Sequence, residues 1–207
     1  MNAGFRLALV ALGTVLLISL AAWLTAGPIE RANTQWIQQS LNDIVPLAMH
    51  DEQMITAAFG FQHPALGSDK AQIIYPIVKG TSWNGAVISA IAPDGYTGDI
   101  QLLIAIDANH SLLGVRVISH KETPGLGDDI ELRHSSWIKS FDQASLQSLT
   151  QQQWAVKKDG GQFDQFTGAT ITPRAVVNAV YRVLSWYEKE GLTQLKQRFN
   201  LQVQTEL

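Results

Sequence analysis

The sequence predicts an α+β protein in which one N-terminal transmembrane helix precedes a domain with a central antiparallel sheet flanked by helices. An uncharged apolar run extends from Leu7 to Ala26. Strand-like segments bounded by turn residues cluster between 73 and 119, and apolar residues recur at helical spacing after Pro173. Because the strands cluster in the middle of the chain, the pattern favours α+β over alternating βαβ units.

Composition limits the classes of function. The chain of 207 residues has room for one soluble domain and an appendage. A net charge of −3 gives no support for nucleic-acid binding. Absence of cysteine excludes disulfides, thiolate catalysis, iron–sulfur ligation and zinc–thiolate sites. Any redox chemistry must therefore come from an organic cofactor or a non-thiolate metal.

The apolar run predicts a retained membrane anchor. Its length of about 20 residues matches the hydrocarbon core of a bilayer, and Gly27-Pro28 is expected to end the helix. Arg6 and the N-terminal amine precede the run, which predicts a cytoplasmic N-terminus and a periplasmic remainder. A cleaved signal peptide is the alternative. It is disfavoured because the run is long and Leu24-Thr25-Ala26 is a poor cleavage site.

The segment after the anchor predicts a connecting region. Apolar residues at helical spacing from Ile29 to Ile44 indicate a juxtamembrane amphipathic helix, with a simple stalk as the alternative. An irregular stretch follows from 50 to 70, in which His50 and His63 are interpreted as surface residues and not metal ligands. The predicted division is an anchor at 1–27, a connecting segment at 28–70 and a domain at 71–207.

Four strands are predicted for the sheet. They cover Ile73–Val78, Ala86–Ala92, Ile100–Asp107 and Leu112–Ser119. Pro76 indicates an edge or a bulge in the first, and Asn84-Gly85 is typical of the hairpin turn before the second. In the last strand, alternation predicts that Leu113, Val115 and Val117 share one face.

Two polar clusters could carry chemistry. His120 and Glu122 could form a general acid–base pair, but we favour a loop whose polar side chains bond to its own backbone. Asp128, Asp129 and Glu131 lack the spacing of an EF-hand loop. They are expected to open a helix that runs to about Trp137, since acidic residues favour a helix N-terminus.

The stretch Asp164-Gln165-Phe166-Thr167-Gly168-Ala169-Thr170-Ile171-Thr172-Pro173 predicts a tight loop that leads into a helix. Pro173 suits the first helical position and Thr172 the N-cap, while Gly168 permits a sharp turn. Three threonine hydroxyls surround a helix N-terminus, which can hold a phosphate. The simpler interpretation is that these threonines only cap the helix.

The segment from Asp164 to Thr170 resembles the Asp-x-x-Ser/Thr-Gly-Ala-Thr flavinylation motif of FMN-binding subunits in bacterial redox-driven ion pumps. His120-Lys121-Glu122-Thr123-Pro124-Gly125-Leu126-Gly127 resembles a second signature of that family. With the single membrane span, the chain is similar to the family of covalent-FMN G subunits of the Rnf (Rsx) electron transport complex. The resemblance covers essentially the whole chain.

The resemblance implies a covalent flavin site. Thr170 would carry FMN through a phosphoester bond that a dedicated flavin transferase makes from FAD. Thr167, Gly168 and Ala169 belong to the same motif, and Thr123, Leu126 and Gly127 would line the flavin site. Trp137, Trp154 and Phe166 could stack on the isoalloxazine ring, although core packing is expected for at least two of them.

The implied function is that of an electron-transfer subunit in a membrane-bound, redox-driven ion-pumping complex, with no catalytic residue and no metal ligand of its own. Its partners would be the other membrane subunits of the Rnf/Rsx complex, in the bacterial inner membrane. One alternative is the covalent-FMN subunit of a sodium-pumping NADH:quinone oxidoreductase, which is typically longer. Another is a cofactor-free, anchored periplasmic binding or scaffold domain.

Overall fold

The computed structural model describes residues 3–51 and 54–205, and the chain forms two compact units with a boundary between Gln39 and Ser40. Helix α1 covers Ala3–Ile44. Its first part, Ala3–Thr25, has 23 residues and a mean hydropathy of 2.4, which is long and apolar enough to cross a membrane. The predicted N-terminal apolar helix is therefore confirmed, whereas the domain boundaries after 27 and 70 stay predictions.

The prediction that Gly27-Pro28 ends the first helix is wrong, because α1 continues through both residues to Ile44. A proline inside a helix removes one backbone hydrogen bond, and good helix formers on either side can outweigh that loss. The residues that follow Pro28 include Glu30, Arg31 and Ala32. The predicted juxtamembrane helix is thus the second half of one long helix.

The second unit is built on a five-stranded antiparallel sheet with the strand order β1-β2-β3-β4-β5. The strands are β1 (Phe59–Phe61), β2 (Gln72–Lys79), β3 (Ser82–Ala92), β4 (Ile100–Asp107) and β5 (Leu112–Ser119). The four predicted strands are confirmed. β1 was not predicted, because a three-residue strand is too short to show alternation.

The hairpin between β2 and β3 turns earlier than predicted. Lys79 pairs with Ser82, so Gly80 and Thr81 make the turn, and Gly80 has a φ of 59°. Gly85 lies inside β3 instead, with a φ of 152°, where an added Cβ would be 2.3 Å from the carbonyl oxygen of Ile106. The glycine is required by close approach of β4, and not by a turn.

Register shifts modify the sheet at three places. Pro76 lies beyond the residues of β2 that pair with β1 and beside a register shift at Ile77/Val78, which confirms the edge or bulge that it indicated. The other two shifts lie between β4 and β5, at Gln101/Leu102 and at Ala105/Ile106, and the latter pairs Ile106 with Leu112. Leu112 therefore joins the core with Val115 and Val117, and the assignment of Leu113 to that face is wrong.

Helices cover both faces of the sheet. Helix α2 (Ile171–Trp186) packs against β3 and β4, and a π-helical segment at Tyr187–Gly191 connects it to α3 (Leu192–Thr205). Arg182 on α2 donates from Nη2 to the carbonyl oxygen of Ile91 at 2.7 Å. On the other face, the end of α1 places Ile44 against Gly114 of β5.

The acidic segment after β5 does not form the predicted helix. Two short 3₁₀ turns, at Asp128–Ile130 and Trp137–Phe141, replace it. Asp128 pairs with His134 at 2.7 Å and Glu131 pairs with His120 at 2.5 Å, so these carboxylates bond to histidines instead of capping a helix. Within 3–51 and 54–205, no group of three His, Cys, Asp or Glu side chains could hold a metal ion.

His63 is not a simple surface residue, contrary to the prediction. Its ring stacks on Trp186 with the ring centroids 4.9 Å apart. Its Nδ1 accepts a hydrogen bond from the N–H of Ala65 at 3.1 Å. The ring therefore packs the connecting segment onto the end of α2.

Gly85→Ala tests the close approach of β4. The added methyl group must move the backbone at Ile106, so we expect a loss of about 2 kcal/mol in the free energy of unfolding. Gly60→Ala is the matched control, because the added Cβ would lie 3.7 Å from Ala71. Urea unfolding of both variants measures the difference, and equal stability would contradict the steric account.

Candidate functional site

The loops that form the candidate site lie at one edge of the sheet, meaning the side at which strands β3 and β5 end. Alternate strands of an antiparallel meander run in the same direction, so β3 and β5 end at the same edge. The loop 93–98 follows β3, and the loop 120–127 follows β5. The N-terminus of α2 meets them there, because Thr172 bonds to Glu122.

These three segments enclose a cavity of about 230 Å³. Its lining consists of Tyr96, Glu122, Thr123, Leu126, Gly127, Gly168, Ala169, Thr170, Ile171 and Thr172. The structure thus brings together six of the residues assigned to the flavin site by resemblance: Thr123, Leu126, Gly127, Gly168, Ala169 and Thr170. Thr167 is exposed and lies outside the lining. That these residues contact FMN stays a prediction.

Four lining residues were not assigned to the site from the sequence: Tyr96, Glu122, Ile171 and Thr172. Tyr96 could have been found, because loops after alternate strands of a predicted meander share an edge. For Glu122 the sequence suggests an acid or base or, as favoured, a side chain that bonds to the backbone of its own loop. Its contacts come from residues far away in the sequence, which local patterns do not show.

Helix α2 begins two residues earlier than predicted. Its first residue is Ile171, and the carbonyl oxygen of Thr170 accepts from the N–H of Arg174 at 3.4 Å, so Thr170 is the N-cap residue. The assignments of Thr172 to the N-cap and Pro173 to the first position are wrong. Thr172 is fully buried and donates its hydroxyl to Glu122 instead.

The three threonine hydroxyls therefore differ in availability. That of Thr172 is buried and bonded, and that of Thr167 is exposed and outside the cavity. Thr170 is half-buried at the cavity wall, and its side chain makes no capping hydrogen bond. In the first turn of α2 the N–H groups of Ile171 and Thr172 have no acceptor within the helix, and Pro173 has no N–H.

The loop before α2 is held by a tight turn and by aromatic packing. The N–H of Ala169 donates to the carbonyl oxygen of Phe166 at 3.2 Å, and Gly168 has a φ of 81°, as predicted for this turn. The ring of Phe166 lies against Trp137 with a centroid distance of 5.2 Å. Trp137 donates from Nε1 to the carbonyl oxygen of Asp164 at 2.8 Å.

The aromatic residues considered for flavin stacking mostly pack in the core. Trp154 is 4% exposed and lies near Phe163 at a centroid distance of 5.5 Å. Trp137 is also buried in the core cluster, whereas Phe166 is half-buried against it. The expectation that at least two of these residues serve the core is confirmed.

The loop 120–127 is closed by its own backbone. The carbonyl oxygen of Thr123 accepts from the N–H groups of Leu126 at 3.1 Å and Gly127 at 3.0 Å. Nδ1 of His120 accepts from the N–H of Glu122 at 3.0 Å, so its Nε2 carries the proton that faces Glu131. His120 and Glu122 are therefore not an acid–base pair. The bond from the N–H of Glu122 to His120 is a side chain bonding to its own loop backbone, as the favoured interpretation expects.

Glu122 is the buried charge at the centre of the three segments. Its Oε1 accepts from the N–H and the hydroxyl of Thr97, each at 3.0 Å, and its Oε2 accepts from the hydroxyl of Thr172. Burial alone would raise the pKa of Glu122. Hydrogen bonds from Thr172, Thr97 and the backbone of Tyr96 outweigh burial and hold the pKa below its usual value. The carboxylate is therefore ionised at neutral pH.

The cavity combines groups that suit a flavin nucleotide. It combines a hydroxyl outside the capping bonds, N–H groups at a helix start, and three apolar side chains that remain exposed: Tyr96 at 68%, Leu126 at 44% and Ile171 at 44%. Its volume of about 230 Å³ is below the usual range for ligand sites, roughly 300 Å³ or more. Part of a flavin would therefore lie along the exposed apolar rim.

Comparisons with known proteins agree with this geometry. Residues 95–185, which include the whole cavity lining, match the FMN-binding domain family. The chain is 44% identical over 183 residues to the G subunit of the ion-translocating oxidoreductase complex of Aliivibrio fischeri strain MJ11, covering 88% of this chain and 87% of the relative. It is 43% identical over 201 residues to the G subunit from Shewanella loihica, covering 97% and 95%. The corresponding Vibrio vulnificus protein is 40% identical over 197 residues, or 95% and 93% of the two chains.

Such identity along nearly the full length of both sequences is far greater than fold similarity alone would require. It includes the apolar helix as well as the domain that forms the cavity. The chain therefore belongs to the family of G subunits of the ion-translocating oxidoreductase (Rnf) complex.

Proposed function

We propose that this chain is an electron-transfer subunit of a membrane-bound, redox-driven ion-pumping complex, and that it carries FMN covalently on Thr170. The observation that carries the proposal is the position of the Thr170 hydroxyl. It lies at the start of α2 on the cavity wall, outside the capping bonds, while that of Thr172 is bonded to Glu122. The membership of the chain in the family of Rnf G subunits supports the same function.

The start of α2 suits the phosphate of such a tether. Attachment joins Thr170 Oγ1 to the FMN phosphorus of FAD, with AMP as the leaving group and release of the hydroxyl proton. The product keeps one negative charge on the phosphate. The N–H groups of Ile171 and Thr172 and the positive end of the helix dipole stabilise that charge.

The apolar rim suits the ring system. Tyr96, Leu126 and Ile171 come from the three segments that enclose the cavity, and their exposed surface would be covered by an aromatic ligand. FMN supplies the one-electron chemistry when bound, and the chain binds it, orients it and limits its contact with water. Partial exposure of the rim leaves the site accessible to an electron donor or acceptor in a neighbouring subunit.

The same interpretation assigns partners and location. The relatives are named as subunits of an ion-translocating oxidoreductase complex, so we infer that the partners are its other membrane subunits. Arg6 ahead of the apolar helix favours an inner-membrane protein with its domain in the periplasm. Asp164, Gln165 and Thr167 are exposed, which leaves the motif accessible to a flavin transferase.

Thr170→Ala should abolish covalent attachment while the protein still folds. Because the Thr170 side chain makes no capping bond, the expected loss of stability is less than about 1 kcal/mol. After co-expression with a flavin transferase, mass spectrometry of the native peptide Asp164–Arg174 should show one FMN attached through phosphate. The peptide from the alanine variant should carry none.

Two variants control this experiment. Thr170→Ser keeps a hydroxyl at the same position and should retain attachment, and Thr193→Ala removes an exposed threonine on α3 and should load like the native protein. Flavin that remains on Thr170→Ala after denaturation would place the attachment elsewhere. A colourless native protein would favour the cofactor-free scaffold.

The orientation of the domain is tested with reporters fused after Leu207. A reporter that is active only in the periplasm should be active, because Arg6 and the N-terminal amine precede the apolar run whereas Arg31 alone follows it closely. Activity of a cytoplasm-only reporter at the same position would reverse the orientation. A control variant moves the positive charge to the other side of the apolar run. It combines Arg6→Gln with two lysines added after the apolar part of α1, and it should reduce the periplasmic signal.

A further inference from the structure

The carboxylate of Glu122 joins the three segments that enclose the cavity. Glu122 is 4% exposed and belongs to the loop after β5. It accepts two hydrogen bonds of 3.0 Å from Thr97, in the loop after β3, and one from Thr172, in the first turn of α2. Each segment contributes an apolar residue to the cavity rim, so one side chain connects all parts of that rim.

Two glycines show how closely the segments approach this carboxylate. A Cβ on Gly127 would lie 2.9 Å from both Glu122 Cβ and Thr172 Oγ1. A Cβ on Gly95 would lie 3.0 Å from Glu122 Oε1 and 2.2 Å from the carbonyl oxygen of Gly98. Real Cβ atoms do not approach other atoms so closely, so glycine is needed where the loop after β3 and the start of α2 lie against Glu122 and its own loop.

We propose that Glu122 is a positioning residue of the flavin site, which holds the first turn of α2, and with it Thr170, in a fixed place relative to Tyr96 and Leu126. This inference rests on the proposed function. Thr172 lies two residues after Thr170 on the same helical turn. Its bond to Glu122 therefore sets the position and orientation of the turn that carries Thr170. Tyr96 lies next to Thr97, and Leu126 lies next to Gly127.

A carboxylate suits the arrangement better than an amide. The N–H and the hydroxyl of Thr97 donate to one oxygen, and the hydroxyl of Thr172 donates to the other. Glutamine can keep its oxygen toward Thr97, but its NH₂ group then faces Thr172, whose hydroxyl must change from donor to acceptor. Glu122→Gln therefore keeps the size of the side chain and replaces the charge-assisted bond to the start of α2 with a weaker neutral one.

A double-mutant cycle on the full-length, flavinylated protein tests the inference. The variants are Glu122→Gln, Thr172→Val and the double variant, with Thr172→Ser as the conservative replacement that keeps the hydroxyl. Covalent FMN per chain, the loading rate with transferase and FAD, and the fluorescence anisotropy of the attached flavin are measured together with the unfolding temperature. Anisotropy reports how freely the ring moves, which stability alone does not change.

We expect both single variants to lower the flavin anisotropy and to slow loading by about 10-fold, as for the loss of one charged hydrogen bond. The double variant should be no worse than either single variant, because the two residues act through one contact. Thr172→Ser should behave like the native protein. Asp107→Ala is a matched control, because it removes the oxygen that accepts two backbone N–H bonds of 2.8 Å at the opposite edge of the sheet. It should lower the unfolding temperature and leave the flavin unchanged.

Several results would overturn the inference. Native anisotropy and loading in Glu122→Gln would show that Glu122 only stabilises the fold, and additive effects in the double variant would show that the two residues act separately. If Glu122→Gln does not fold, equal flavin anisotropy and equal loading rates in Thr172→Val and Thr172→Ser would overturn the inference. A native protein without FMN in the same reaction would overturn the proposed function as well, whereas equal loading of native and variant proteins overturns this inference alone.

Discussion

The site depends on one buried carboxylate that must be hydrogen-bonded. Glu122 is only 4% exposed, and burying its charge costs free energy unless hydrogen-bond donors surround the carboxylate. Thr97 and Thr172 supply those donors. Since these two residues belong to different segments, satisfying the charge draws the segments together. Gly95 and Gly127 permit the approach, because a side chain at either position would collide with the same carboxyl group or its partners.

The sheet and helix α2 hold these segments in place without a ligand. The meander brings the ends of β3 and β5 to one edge, and α2 crosses the sheet with its first turn at that edge. Arg182 bonds to the carbonyl oxygens of Ala65 at 2.9 Å and Ile91 at 2.7 Å, while Thr172 bonds to Glu122. The helix is thus fixed near both ends, and the position of Thr170 follows from rigid elements.

The small cavity is consistent with the proposed covalent tether. The enclosed volume of about 230 Å³ and an exposed apolar rim offer limited surface to a freely dissociating flavin. The proposed tether on Thr170 would make binding intramolecular, so a shallow site could stay filled through a high effective concentration. A shallow site would also keep the ring near the surface, where a neighbouring subunit could exchange electrons with it.

Local patterns in the sequence determined the apolar N-terminal helix, four of the strands, the turn at Gly168 and the stretch that contains Thr170, because each depends on residues adjacent in the chain. The tertiary structure decided the positions at which local signals conflicted with distant contacts. Thr172 has the features of a cap, but its hydroxyl bonds to Glu122, 50 residues away. Gly85 has the features of a turn, but its lack of Cβ makes room for β4. The carboxylates after β5 suit a helix start, yet His120 and His134 bind them. In each case a buried polar or steric requirement across the fold outweighs a local preference of about 1 kcal/mol.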